Sequence, residues 1–457
     1  MKQSTSKTLT RDMTTGSVLR SILAFAMPLF IGNIFQQVYS LVDTMVAGYF
    51  IGDQAIAAIG ATTSLYSLIV NGAVALNLGY GIVVTRCFGA HDERQMKQSI
   101  AGMFMLNAAS ALLLTVLSLA FLRPLLQFMN TPESIFEQTH TYISIILVGM
   151  TATLGYNMFA SIMRAVGNSR FPLYFLIVSC VLNILLDLLL VVVFPMGVAG
   201  TALATVIAQG VSAVLCGIFV LRSYRHLLPS RADFRVPSAR LWDLLTTGAA
   251  MALMLCVVDL GSVIFQRANN MLGETIIASW TATRRVMSMF MQVLSSLASA
   301  TSTFVGQNFG AGRMDRIRTA IRRVIIVMQG WSAFSIVTIF LFGAALVRFT
   351  TGTDNPEIIS NAVMSMRIHF CLFPALGVLF CLRMSMQAMG QKIVPVLSSC
   401  IELLMKIISA AFLIPRLGFL GTSITEPITW TLMMLFLLVC YLRQNRRLKT
   451  LSGKEEA

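Results

Sequence analysis

Twelve long apolar runs, parted only by short stretches of turn-forming and charged residues, constrain this 457-residue chain more than any other feature. A helix crossing a hydrocarbon core of about 30 Å needs about 20 mostly apolar residues, because each residue advances roughly 1.5 Å. Runs of that length lie near 17–47, 54–81, 98–122, 134–157, 171–193 and 198–221 in the first half. In the second half they lie near 241–266, 274–303, 319–347, 357–382, 392–414 and 419–441. Only 12% of residues are charged, against about a quarter in soluble domains. An ordinary cytosolic enzyme, a disordered chain and a disulfide-stapled secreted domain are thereby excluded. The first run is too long for a signal-peptide core and is expected to be retained.

The formal net charge of +15 would suggest nucleic acid on a soluble surface. Its distribution suggests topology instead. Of the 34 Lys and Arg residues, 26 fall in, or within five residues of, the N-terminus, the even-to-odd connections and the C-terminus. The opposite connections hold only Arg123, Arg267, Arg348 and Arg416. The positive-inside rule then places both termini in the cytoplasm, and an even number of spans agrees. Lipid headgroups, not nucleic acid, are the expected anionic partners. The eight cysteines are scattered in or beside the runs without CxxC pairing and read as small hydrophobes.

The chain repeats itself once. Phe88-Gly89-Ala90 recurs as Phe309-Gly310-Ala311, Gly52 as Gly273, and Gly197-x-x-Gly200-Thr201 as Gly418-x-x-Gly421-Thr422, each at an offset of 221. Gly167 with Pro172 matches Gly390 with Pro395 at 223. Two six-span halves inserted with the same orientation imply an all-α integral membrane fold. Its two six-helix lobes would be related by a pseudo-two-fold axis along the membrane normal, around a central cavity. The expected organisation is a tail at 1–16, a first lobe at 17–221, a linker at 222–240, a second lobe at 241–441 and a tail at 442–457.

A carboxylate at mid-bilayer costs at least about 2.5–3.5 kcal/mol, so each one needs a reason. In the first run Gln36, Tyr39 and Asp43 share one helical face, and Pro28 should bend the helix below them. In the fifth run Asn183 and Asp187 are one turn apart, while Asn157 ends the fourth run and Thr205 lies in the sixth. Two carboxylates among amide and hydroxyl groups suit either a proton or a transient Na⁺ at Asp43, Asp187 and Asn183. The alternative is that each Asp is a structural hydrogen-bond acceptor. No structural metal is expected.

The second half is equipped differently. Asp43 and Asp187 have the apolar counterparts Ile264 and Ala410, and Glu426 replaces Thr205. Glu402 and Lys406, one turn apart in the favourable order, read as a structural ion pair. His369 reads as a hydrogen-bonded core histidine. Met287 and Met291, with Asp259 and Glu426, are candidates for a substrate cavity or gate, because thioethers repack around varied ligands. No phosphate loop, HExxH, GxSxG elbow or dinucleotide fingerprint is present, so no catalytic residue or cofactor is expected. Uphill transport would draw on an ion gradient, at about 2.3 kcal/mol per charge per 100 mV.

These features together resemble the multidrug and toxic compound extrusion (MATE) family over nearly the whole chain. The resemblance rests on the twelve spans, the stretch from Pro28 to Asp43 and the Gly89 and Gly310 loops. Arg383-x-x-x-Gln387-Ala388-Met389-Gly390 and Ile401-Glu402-Leu403-Leu404-x-Lys406 look like bacterial branches of it. The resemblance implies a secondary active antiporter of the bacterial inner membrane, not an enzyme. It would act as a monomer and export amphipathic, often cationic small molecules in exchange for H⁺ or Na⁺. It also implies that Tyr39, Asp43, Asn183, Asp187 and Thr205, with Asn157, bind the coupling ion. A bend of the first span at Pro28 would couple ion occupancy to release. The chain departs from the branch with Glu on span seven and Asp on span ten, for which Asp259 is a partial substitute. A lipid-linked oligosaccharide flippase would share the spans but usually has a more basic cavity. An intramembrane enzyme would need a convergent nucleophile–base or metal set.

Overall fold

The structure, a computed structural model, describes residues 10–455, with side chains to residue 445. Residues 1–9 and 456–457, part of the two expected tails, lie outside the described residues. In lipid every backbone N–H and C=O must be satisfied within its own segment, and the apolar runs accordingly form helices. Twelve helical rods follow in chain order. The first six are α1 Val18–Phe50, α2 Asp53–Gly89, α3 Glu93–Phe128, α4 Glu133–Val148 with Met150–Ala165, α5 Arg170–Val193 and α6 Val198–Ser223. The second six are α7 Ser238–Asn270, α8 Glu274–Gly310, α9 Met314–Thr351, α10 Pro356–Cys371 with Phe373–Ala388, α11 Ile393–Leu417 and α12 Phe419–Glu455.

Among the described residues nine rods are long and apolar enough to cross a membrane singly, and α4 and α10 qualify as bent pairs. The remaining rod, α8, is 37 residues long but carries Arg284 and Arg285 among many Ser and Thr. Most rods outrun the apolar runs that mark them. For example, α2 continues past 81 to Gly89, and α12 past 441 to Glu455. Hydropathy measures the thickness of the hydrocarbon, while the helix goes on into the headgroup region. Between α6 and α7 the chain makes two short 3₁₀ turns, Arg225–Leu227 and Arg231–Phe234.

The repeat seen in the sequence is also present in the backbone. α4 bends by 43° at Gly149 and α10 by 52° at Leu372, 223 residues later. Pro374, just past the second bend, supplies no backbone N–H, which accounts for the break there. A π-helical stretch follows Asp187 at Leu188–Val193, and another begins 221 residues later at Ser409–Leu413. Gly52 and Gly273 take φ of 108° and 95°, and Gly197 and Gly418 take 60° and 56°. These turns before α2, α8, α6 and α12 lie where a Cβ would be strained, which explains the paired glycines.

The chain divides into two compact units. Among the described residues the first comprises 10–16, 24–253 and 306–312, and the second 17–23, 254–305 and 313–455. The first unit has a core around buried Tyr80, Tyr156 and Tyr224 with Val83, Ile100 and Met163. There the repeated Phe-Gly-Ala motif acquires a physical meaning. A Cβ on Gly89 would overlap the Gln307 backbone, and one on Gly310 would overlap the Arg86 carbonyl. The second unit packs Phe265 and Trp280 against Ile414 and Phe419.

Candidate ion and substrate site

In the first unit α1, α5 and α6 bring together the polar residues singled out on three separate runs. Tyr39 donates its hydroxyl to Thr205 Oγ1 at 3.0 Å, and Thr205 in turn donates to the Thr201 carbonyl at 3.1 Å. In the amide orientation that satisfies both of its neighbours, Asn183 donates to Asp187 Oδ2 at 2.9 Å and accepts from the Thr205 N–H at 3.2 Å. Asp187 closes the regular part of α5, where the backbone widens into its π turn, a local irregularity common at functional sites. The carboxyl groups of Asp43 and Asp187 lie within hydrogen-bonding reach of one another. Both are buried, and among the described residues neither Oδ1 atom has a hydrogen-bond partner.

Asp43 faces a cavity of about 420 Å³ lined by residues of the first unit, with Gln36, Tyr39 and Thr205 on its wall. Tyr66, Tyr142, Thr62, Thr63, Asn71 and Gln209 also line it and were not anticipated. Asn71 and Gln209 are the legible signals among them, because an amide in an apolar run is as unusual as the ones at 36 and 183. No Lys, Arg or His lines this cavity among the described residues. Its chemistry is that of a wet oxygen-rich pocket with an excess of acid.

Not every candidate converges here. Asn157 donates to the Thr153 carbonyl at 2.8 Å and is absent from the cavity wall. Pro28 lies inside an unbroken helix, α1. Met287 is buried in packing, Met289 is exposed and Met291 half-buried, and Asp259 is half-buried on α7.

The second unit holds two polar constellations. Lys406 Nζ donates to Glu402 Oε1 and to Ser262 Oγ, each at 2.9 Å, so the expected pair is joined by a hydroxyl from α7. Glu426 is buried and receives Arg284 Nη1 on Oε1 at 2.9 Å, with His369 Nε2 at 3.6 Å from Oε2. Trp280 and Trp430 pack on His369 with ring centroids 5.7 Å away on each side. This cluster draws on α8, α10 and α12, whose members are too far apart in sequence for any spacing rule to connect.

Comparison with known proteins adds an independent line. A family model described as MatE matches the chain twice, over residues 28–189 and 250–412. The probable multidrug resistance protein YpnP of Bacillus subtilis (strain 168) is 28% identical over 390 residues, covering 83% of this chain and 84% of that protein. The FAD transporter of Shewanella oneidensis is 23% identical over 434 residues, covering 93% and 94%. A crystal structure of a MATE protein in a bent conformation matches with a TM-score of 0.88 at 20% identity, over 97% of this chain and 98% of that one. An outward-facing multidrug resistance MATE transporter matches at 0.87, with 20% identity over 96% and 98%. At these identities the solved structures establish the fold, and the fold is the one expected from the sequence.

Proposed function

The chain belongs to the MatE family, and from that premise we propose that it is an antiporter exporting amphipathic, often cationic small molecules in exchange for H⁺ or Na⁺. The observation that carries this reading is the buried Asp43–Asp187 pair at the edge of a cavity whose wall holds no basic side chain. Two carboxylates in contact repel and have lost their water, so the site is balanced only when a cation joins them. A proton shared between the carboxyls does this, as does Na⁺ held by their oxygens. A cationic solute in the cavity competes for the same negative charge.

Exchange follows if ion and solute favour opposite arrangements of the transporter. An ion taken up at Asp43 and Asp187 from outside displaces the solute, and release of the ion to the cytoplasm readmits it. Without that opposite preference the two fluxes would uncouple. An inward monovalent charge gains about 2.3 kcal/mol per 100 mV, enough for roughly a fifty-fold gradient of a neutral solute, whereas one-for-one exchange with a monovalent cation draws on the ion's concentration gradient alone. The bias of 26 of 34 basic residues supports both termini lying in the cytoplasm of a bacterial inner membrane. The unit acting in transport is read as a single chain.

The test uses purified protein in liposomes with a fluorescent lipophilic cation, under a pH gradient and a Na⁺ gradient imposed in turn. One of the two gradients is expected to drive the cation uphill. Movement that only follows the cation's own gradient under both conditions would overturn the antiport reading.

A further inference from the structure

At the repeat offset, Trp280, Arg284, Glu426 and Trp430 correspond to Ile59, Thr63, Thr205 and Gln209, and His369 corresponds to Ile146. All five first-half residues line the 420 Å³ cavity. The second half therefore fills the equivalent place with a carboxylate, a guanidinium and an imidazole between two indoles.

The hydrogen bonding of this cluster is one proton short. His369 Nδ1 lies 2.8 Å from the Ser365 carbonyl, an acceptor only, so Nδ1 carries the proton of the neutral ring. Nε2 is then a bare lone pair, and it faces Glu426 Oε2, another acceptor, at 3.6 Å. Among the described residues neither atom has a hydrogen-bond partner, and His369 is fully buried. A water bridging two acceptors spans about 4.6 Å, so none fits in the gap. Arg284 engages the other carboxylate oxygen. The charged groups facing Glu426 are Arg284 from α8, His369 from α10 and Lys406 from α11, the last already held by Glu402 and Ser262. One added proton on Nε2 or Oε2 turns the opposed acceptors into a donor–acceptor pair.

We propose that His369 and Glu426 form a proton-binding site in the second half of the chain, distinct from the Asp43–Asp187 pair. The ligand is a single H⁺ held between Nε2 and Oε2. Its arrival takes the Arg284–Glu426–His369 cluster from neutral to a charge of +1. The site stands on its own geometry and not on the transport reading above.

Two of the four tryptophans flank His369, and an imidazolium quenches indole emission, so intrinsic fluorescence of the purified protein reads this proton directly. On acidification from about pH 9 to pH 5, native protein is expected to show a one-proton quench. His369→Asn should abolish it. Glu426→Gln should abolish it or move it at least about one pH unit lower, because the amide N–H takes the proton's place. Asp43→Asn should leave it unchanged. A native protein with no such transition, or a transition that survives His369→Asn unchanged, overturns the proposal. If either variant fails to fold, ¹⁵N-histidine NMR of the native protein, which has four histidines, reads the same event. An Nε2 that remains bare throughout this range refutes it. Neither readout involves transport, so this site and the antiport reading fail or survive separately.

Discussion

The two halves of the chain use the same backbone for opposite electrostatics. Where the first half has Ile59, Thr63, Ile146, Thr205 and Gln209 around a 420 Å³ cavity, the second has Trp280, Arg284, His369, Glu426 and Trp430 packed together. Where the first half buries Asp43 and Asp187 against each other, the second has Ile264 and Ala410, with Lys406 bonded to Ser262 and Glu402 close by. Among the described residues α2 carries a π turn at Ser67–Asn71 that α8 lacks, but the bends, the other π turns and the left-handed glycines recur at matching places, so the shared backbone does not by itself dictate the difference. Side chains do. The acids of the first half lack a basic partner in the cavity wall, whereas buried Glu426 and half-buried Glu402 of the second are each paired with a basic side chain. An unpaired buried charge is costly unless a mobile ion completes it.

The sharpest way to break this contrast is to remove one charge from each half. Asp43→Asn and Asp187→Asn keep the shape of the site, so the folded protein should survive while gradient-driven transport falls by roughly tenfold or more. Initial rates in liposomes check this. In the second half the order reverses. Lys406→Met leaves the half-buried Glu402 without its cation and should cost about 1–3 kcal/mol of stability. Adding Glu402→Leu should restore most of that loss, as read by thermal unfolding in detergent.

Smaller effects sharpen the same picture. Gly89→Ala puts a methyl into the Gln307 backbone and should destabilise by about 1–3 kcal/mol. A similar substitution at Gly60, where nothing lies within 4 Å of the added Cβ, should be tolerated. Tyr39→Phe removes only the 3.0 Å bond to Thr205, worth about 1 kcal/mol. Stability should therefore fall by no more than about 1 kcal/mol, as read by thermal unfolding in detergent.

Much of this was legible in the sequence because membranes penalise charge so strongly. Asp43, Asp187, Glu402 and Lys406 stand out in apolar runs, and the repeat is visible in its glycines. Other features were hidden for definable reasons. Tyr66 and Tyr142 look like ordinary aromatic residues until the cavity shows their place on its wall. Helical spacing relates residues one or two turns apart, so it joins Gln36, Tyr39 and Asp43 but cannot join Arg284, His369 and Glu426 across three helices. Asn157 shows the converse. Its polarity invited a place in the cluster, but its amide is satisfied by the Thr153 carbonyl of its own helix.

The account's central claim is that a cation bound at Asp43 and Asp187 is exchanged for the solute. The most direct measurement is ion release from purified, detergent-solubilised protein on adding a lipophilic cation such as tetraphenylphosphonium. Protons are followed in weak buffer and Na⁺ by radiotracer. Native protein should release one of the two ions, Glu426→Gln should still do so, and the Asp43→Asn, Asp187→Asn double variant should release neither. Release that persists undiminished in the double variant would contradict the claim.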